Sequence, residues 1–78
     1  MPENETTNEA LAELLERFGS RTLLAHEART TEQSVREWMT KGRVPKPTAR
    51  LLTELANQLG WWREEERRAN EERLVYGD

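Results

Sequence analysis

Apolar residues in the first third of the chain recur three or four positions apart, the spacing of an amphipathic helix. They are Leu11, Leu14, Leu15 and Phe18, with charged residues among them. Thr6 and Glu9 have the spacing of a capping box, in which each side chain satisfies a free backbone amide at the helix start. We therefore predict a first helix that begins behind Thr6 and ends at Gly19, which tolerates the left-handed conformation of a helix end.

Two shorter helices are predicted to follow. Ser20 is a favourable N-cap for a helix that begins at Arg21 and carries the apolar residues Leu23, Leu24, Ala25 and Ala28. The apolar pattern stops at residues 29–31, and Thr31 is a favourable N-cap for a third helix over residues 32–40. The third helix has a narrow apolar stripe, formed by Val35, Trp38 and Met39. This pattern predicts a helix that is packed on one side and exposed on the other.

The C-terminal half is predicted to contain two more helices. Residues 41–47 include two prolines and a glycine, so we expect a loop there. The fourth helix ends at Gly60, and its apolar side consists of Leu51, Leu52, Leu55, Ala56 and Leu59. A fifth helix is expected from Trp61 to about Val75, with ion pairs between residues four apart: Glu64–Arg68, Arg67–Glu71 and Arg68–Glu72. No strand-like alternation occurs, so the predicted fold is all-α, a compact five-helix bundle.

The second and third helices carry the residue types that two helices need where they cross steeply through a short turn. Ala25 is small enough to let the two backbones approach. Val35, ten residues later, is an aliphatic residue that fills the gap, and Trp38 is large enough to anchor the third helix on a core. This spacing predicts a helix-turn-helix.

On these residues the sequence resembles the Cro/repressor-type helix-turn-helix family of phage and bacterial DNA-binding regulators, whose fold is lambda-repressor-like. The resemblance covers roughly residues 8–60 and is carried by Leu24-Ala25, by the stretch from Thr30 to Trp38 and by Gly42-Arg43-Val44-Pro45. Family members often have glycine at the turn where this chain has Arg29, and a positive φ costs a non-glycine residue about 1 kcal/mol. The segment 42–45 also resembles the wing of excisionase or MerR-like proteins, but the helix predicted after it favours the Cro/repressor arrangement.

The resemblance implies that the third helix lies in the major groove of double-stranded DNA. Gln33 would then pair with adenine, Arg36 with guanine or a phosphate, and Arg21 with a backbone phosphate. The whole expected DNA-binding set is Arg21, Thr31, Glu32, Gln33, Ser34, Arg36, Glu37, Thr40, Lys41, Arg43 and Lys46. Phosphate repels Glu37 unless that carboxylate holds Arg36 or Arg43, or accepts from cytosine N4. The alternative is that Glu32 and Glu37 simply face solvent.

Charge is distributed unevenly along the 78 residues, which carry a formal net charge of −3. Residues 17–50 have a net charge of +5, whereas both flanking segments are acidic. A basic middle segment of this kind could attract DNA phosphates. The alternative is that the charges are scattered over the helices only to keep the protein soluble. The chain has no cysteine, one isolated histidine, His26, and no base partner for Ser20, so we expect no metal, no cofactor and no enzymatic activity. Without a targeting segment or an apolar run of roughly 20 residues, a cytoplasmic protein is expected.

Three segments are predicted: a flexible N-terminus (residues 1–5), a helix-turn-helix DNA-binding domain (6–60) and a charged C-terminal helix (61–78). We expect the last segment to form a homodimer contact through Trp61, Trp62, Leu74, Val75 and Tyr76. The alternative is that this helix folds back on its own domain. The expected function is that of a sequence-specific transcriptional regulator, a repressor, bound to a short inverted repeat. Two alternatives remain: a protein-interaction module such as an antitoxin or phage anti-host factor, and an excisionase-like architectural protein.

Overall fold

The computed structural model describes residues 8–76, and these fold into five α-helices and one short 3₁₀ helix. The α-helices are α1 (Glu9–Phe18), α2 (Arg21–Glu27), α3 (Glu32–Lys41), α4 (Lys46–Gln58) and α5 (Arg67–Tyr76), and the 3₁₀ helix is Glu64–Glu66. The described residues contain no strand, which confirms the predicted all-α, five-helix fold. None of these helices is both long enough and apolar enough to cross a membrane.

The first helix begins at a different residue from the predicted one. Its N-cap is Asn8, whose Oδ1 accepts the backbone N–H of Leu11 at 3.0 Å, whereas Thr6 lies outside the described residues. Asn8 is buried, and its Nδ2 donates to the carbonyl of Gly42 at 2.8 Å and, at 3.3 Å, to that of Leu74. One side chain therefore joins the start of α1 to the end of α3 and to α5.

The predicted caps of α2 and α3 are confirmed. Ser20 and Thr31 each accept the backbone N–H three residues further on, at 3.2 Å in both cases. Between the two helices, Arg29 has a φ of 59° and is the one non-glycine residue with positive φ among those described. Thr30 then donates its N–H to the carbonyl of Ala25 at 2.9 Å and closes the turn. Arg29 thus takes the left-handed conformation at the turn between α2 and α3, which is unfavourable for a residue with a Cβ.

The core lies where α2 and α3 pack against the other helices. Ala25, Val35 and Trp38 are all buried, as their spacing predicted. Side chains from every α-helix complete this core, among them Leu11, Leu14, Leu24, Leu52 and Leu74. Leu59 was predicted to belong to it, but its side chain is 54% exposed because α4 ends one residue earlier, at Gln58.

The loop between α3 and α4 is shorter than predicted. Lys41 still belongs to α3, which ends at Gly42 with a φ of 75°, and α4 already begins at Lys46. Pro47 lies in the first turn of α4, where a backbone N–H has no helical partner to lose. The loop is therefore residues 42–45 rather than 41–47.

The C-terminal stretch is not one continuous helix from Trp61. The backbone N–H groups of Trp61 and Trp62 both donate to the carbonyl of Ala56, at 2.9 and 3.3 Å, and this reverses the chain after α4. After the reversal, α5 packs back against α4 and α1. The alternative in which the last helix folds back on its own domain is the observed one.

Ion pairs hold α5 and the 3₁₀ helix against α4, but only one follows the predicted spacing. The Arg67 guanidinium lies 2.9 Å from Glu54 on α4 and 2.8 Å from Glu64. The hydrogen bonds that Arg67 donates to these two carboxylates, above all to Glu54, raise the pKa of Arg67 above its ordinary value. Of the three predicted pairs, Arg68–Glu72 alone is present among the described residues, at 3.8 Å.

Candidate nucleic-acid interface

The exposed side of α3 carries a shallow groove lined only by polar and charged side chains. The six residues are Glu32, Gln33, Arg36, Glu37, Thr40 and Lys41. They face away from the core because Val35 and Trp38 occupy the buried side of the same helix. Six of the eleven residues predicted to bind DNA therefore share one surface.

Three more predicted residues lie in concavities that adjoin this groove. Arg21, at the start of α2, lines a shallow surface together with Arg36 and Thr40 of α3. Beyond the C-terminal end of α3, Lys41 is joined by Arg43 and Lys46 in a concavity whose apolar residues are Trp38, Val44, Pro45 and Val75. Basic residues thus adjoin the exposed side of α3 along α2 and beyond its C-terminal end.

The remaining two predicted residues, Thr31 and Ser34, bond to each other at the start of α3. The Thr31 hydroxyl donates to the Ser34 hydroxyl oxygen at 3.2 Å and accepts the Ser34 backbone N–H at the same distance. Thr31 therefore uses its hydroxyl to cap the helix, whereas the Ser34 hydroxyl proton has no acceptor within the described part of the chain.

Two hydrogen bonds hold the backbone of the loop after α3 against the rest of the fold. Val44 is buried, and its N–H donates to the carbonyl of Leu74 at 3.1 Å. Asn8 donates to the carbonyl of Gly42, two residues earlier. Only the side chain of Arg43 remains exposed between these two anchors. The segment that resembled a wing is therefore a short connection held against α1 and α5, with no strand in it.

The basic residues of this surface lack carboxylate partners, whereas most arginines of the C-terminal half have one. Six of them have no carboxylate within 4 Å among residues 8–75: Arg21, Arg29, Arg36, Lys41, Arg43 and Lys46. By contrast, four arginines that follow them in the chain each have such a partner: Arg50, Arg63, Arg67 and Arg68. Most basic side chains without a carboxylate partner among the described residues therefore lie between the start of α2 and the start of α4; Arg73 on α5 also lacks one.

Two carboxylates interrupt this basic surface without pairing to it. Glu32 and Glu37 are both exposed, and neither has a basic group within 4 Å in the part of the chain that the structure describes. The predicted ion pair from Glu37 to Arg36 or Arg43 is thus not formed.

Two of the five predicted dimer residues belong to the core of the single chain. Leu74 is fully buried, and Trp62 is 8% exposed with its Nε1 donating to Glu13 at 3.1 Å. Their prediction as dimer contacts is wrong because both side chains are already covered by the chain's own α1 and α4. Trp61 is half-buried against Phe18, with ring centroids 4.9 Å apart, and Val75 is half-buried too. The side chain of Tyr76 lies outside the described residues.

Sequence reasoning missed three residues of this region. Asn8 orients the end of α3, and its residue type, common at N-caps, was the available signal. Arg29, at the turn between α2 and α3, adds an exposed basic side chain that has no carboxylate within 4 Å among the described residues. Met39 lines the concavity between Arg21 and Arg36.

Among the described residues, no three histidine or carboxylate side chains converge on a point where they could hold a metal ion. Comparisons of this chain with protein-family models, with curated proteins and with solved structures find no match. Its function is therefore inferred from the residues and from where the fold puts them.

Proposed function

We propose that this protein is a sequence-specific regulator that binds double-stranded DNA with α3 in the major groove. The observation that carries the proposal is the convergence of unpaired basic side chains and free hydrogen-bonding groups on the exposed side of α3 and beside it. An α-helix with its side chains is about 10–12 Å across, which fits the major groove of about 12 Å.

The negative net charge of the whole chain does not oppose this role. Phosphate attraction depends on the potential at the docking surface, and screening limits the influence of distant charges to about 8–10 Å. Arg50, Arg63, Arg67 and Arg68 each have a carboxylate within 4 Å, whereas Arg21, Arg43 and Lys46 have none among the described residues. Each unpaired lysine or arginine side chain that contacts a phosphate releases counterions from the DNA, and this strengthens binding.

Base selection is assigned to Gln33 and Arg36. Both side chains are exposed in the groove along α3, and neither forms a hydrogen bond within the described part of the chain. Glutamine can bond adenine in bidentate fashion, and arginine can do the same with guanine. Arg21 and Arg43 lie to either side of this pair and are assigned to the phosphates.

The test is selection of bound duplexes from a random DNA pool, followed by titration at two salt concentrations. Gln33→Ala and Arg36→Ala are each expected to cost about 1–3 kcal/mol on the selected duplex and to relax base preference at one position. Arg43→Ala, as the control, is expected to weaken all sequences alike. Unchanged sequence preference in Gln33→Ala and Arg36→Ala would contradict the assignment of α3.

Homodimerisation on an inverted repeat is part of the proposal, because it would place two copies of α3 one helical turn apart, about 34 Å. The contact would use Trp61 together with Leu59, whose side chain is largely exposed. The molecular mass of the protein on the selected duplex is expected to equal two chains per site. One chain per site would contradict the dimer while leaving the role of α3 intact.

A second candidate function is a protein-interaction module, such as an antitoxin or a phage anti-host factor, that binds a basic partner. It is favoured by the acidic 3₁₀ helix, where Glu65 and Glu66 are exposed at the surface. The two functions differ in their binding to random DNA at low salt. A chain that uses only its acidic surface is expected to bind no duplex there.

A further inference from the structure

Glu37 lies at the centre of the basic surface. It lines the groove along α3 together with Gln33 and Arg36, and it also lines the second concavity together with Arg43 and Lys46. Its side chain is exposed and has no basic partner within 4 Å among the described residues. Any duplex that covers both concavities must therefore meet this carboxylate.

A duplex presents few groups that a carboxylate can approach. Phosphate oxygens repel it, and guanine (N7, O6) and thymine (O4) offer only acceptors; adenine has a donor, N6, but it lies beside the acceptor N7, which repels a carboxylate. The exocyclic amino group of cytosine, N4, is a donor that aspartate and glutamate accept from in protein–DNA complexes. A buried carboxylate that met none of these donors would lose its hydration without compensation.

Glu32, the other unpaired carboxylate of this surface, has a different position. It is the first residue of α3, where the positive end of the helix dipole stabilises a negative side chain. It also lines another concavity with Glu16, Ser20 and Arg21, between α1 and the start of α2. Helix stabilisation explains Glu32, whereas Glu37 lies in the second turn of the helix and has no such explanation.

We propose that Glu37 is a specificity-determining residue that accepts a hydrogen bond from cytosine N4 in the base pair beside those contacted by Gln33 and Arg36. This inference rests on the proposed function. The same carboxylate disfavours sequences that present the acceptors of guanine or thymine there, so it lowers non-specific binding while it favours cytosine.

The experiment compares the unmodified protein with Glu37→Gln on duplexes selected from a random pool at fixed salt. The unmodified protein is expected to require one C·G pair and to bind a T·A replacement about 5- to 150-fold more weakly. Glu37→Gln is expected to lose most of that preference and to bind random duplex about 2- to 5-fold more tightly, since one repulsive charge is removed. Because Glu37 is exposed, the substitution leaves the core unchanged.

An atomic version of the test replaces the selected cytosine by 2-pyrimidinone, which lacks the N4 amino group. A large loss of affinity is expected in the unmodified protein and a smaller one in Glu37→Gln, whose neutral amide oxygen accepts a weaker hydrogen bond. The matched control is Glu66→Gln, which makes the same charge change at an exposed carboxylate that lines none of the grooves around α3. It is expected to keep the cytosine preference.

The outcomes separate this inference from the proposed function. A selected duplex whose base preferences are identical in the unmodified protein and in Glu37→Gln would overturn the role of Glu37 alone. An equal change on all sequences, as expected if Glu37 only neutralised Lys41 one turn later, would overturn it as well. Failure to select or bind any duplex would overturn the proposed function, and the role of Glu37 with it.

Discussion

At the scale of single residues, Asn8 is the side chain that connects the most elements. Its Oδ1 caps α1, and its Nδ2 lies within hydrogen-bond distance of the carbonyls of Gly42, Arg73 and Leu74. These carbonyls belong to the ends of α3 and α5, where no helical partner is available to them. Asn8 therefore substitutes for several missing backbone hydrogen bonds at once.

Asn8→Ala is expected to destabilise the protein by about 2–4 kcal/mol, because it removes a helix cap and the hydrogen bond to the buried carbonyl of Gly42. Asn8→Ser keeps an oxygen for the cap and is expected to recover about 1 kcal/mol of that loss. Urea denaturation of the three proteins measures both values. A loss below about 0.5 kcal/mol in Asn8→Ala would show that water replaces these bonds at little cost.

Substitution of Arg29 by glycine is expected to have the opposite effect, a gain in stability. Its φ of 59° is unfavourable for a side chain with a Cβ, and its guanidinium has no carboxylate within 4 Å among the described residues. Arg29→Gly is expected to raise the free energy of unfolding by about 0.5–1 kcal/mol, the relief of strain exceeding the added entropy of the unfolded chain. The urea midpoint measures this change, and a decrease would mean that the arginine makes a stabilising contact.

At the scale of elements, sequence signals located α2 and α3 well because those signals are local. Ser20 and Thr31 each bond an amide three residues away, so the residues that decide the helix start are adjacent in the sequence. The apolar stripe of α3 likewise follows from helical spacing alone. The exposed side of α3, and with it most of the candidate interface, could therefore be assigned from the sequence.

The C-terminal elements were harder to predict because contacts distant in sequence determine them. The indole N–H of Trp62 donates to Glu13, 49 residues earlier, and the backbone carbonyl of Leu74 accepts the N–H of Val44. Neither contact leaves a pattern in the residues nearby, and α5 shows no clear apolar stripe. The same limit applies to Asn8, whose partners lie 34 and 66 residues away.

Leu74→Ala is expected to destabilise the single chain by about 2–5 kcal/mol, because a fully buried leucine leaves a cavity. Its oligomeric state is expected to match that of the unmodified protein at temperatures where both are folded. Urea denaturation and sedimentation velocity measure the two properties. A dissociated but equally stable Leu74→Ala variant would restore this residue to a dimer contact.

At the scale of the whole molecule, the chain separates its charges into two regions. The basic side chains on α2, on α3 and in the loop have no carboxylate within 4 Å among the described residues. Arg63, Arg67 and Arg68, by contrast, each have a carboxylate of the same chain within that distance. A net charge of −3 is therefore compatible with one strongly positive surface.

A pair of double variants tests this separation at equal net charge. Lys41→Gln with Arg43→Gln is expected to weaken binding to all duplexes and to lower the steepness of the log affinity against log salt plot by about 2. Arg63→Gln with Arg68→Gln removes the same charge from the C-terminal half and is expected to leave both quantities nearly unchanged. Equal effects of the two double variants would mean that overall charge, rather than this surface, attracts DNA.

The most direct measurement is an NMR titration of the isotope-labelled protein with a duplex selected from the random pool. We predict that the largest backbone shift changes occur in residues 32–41 and at Arg21, with small changes in residues 64–72. Large changes confined to residues 64–72, with α3 unaffected, or no changes at saturating duplex, would contradict the assignment of α3 as the DNA-contacting helix.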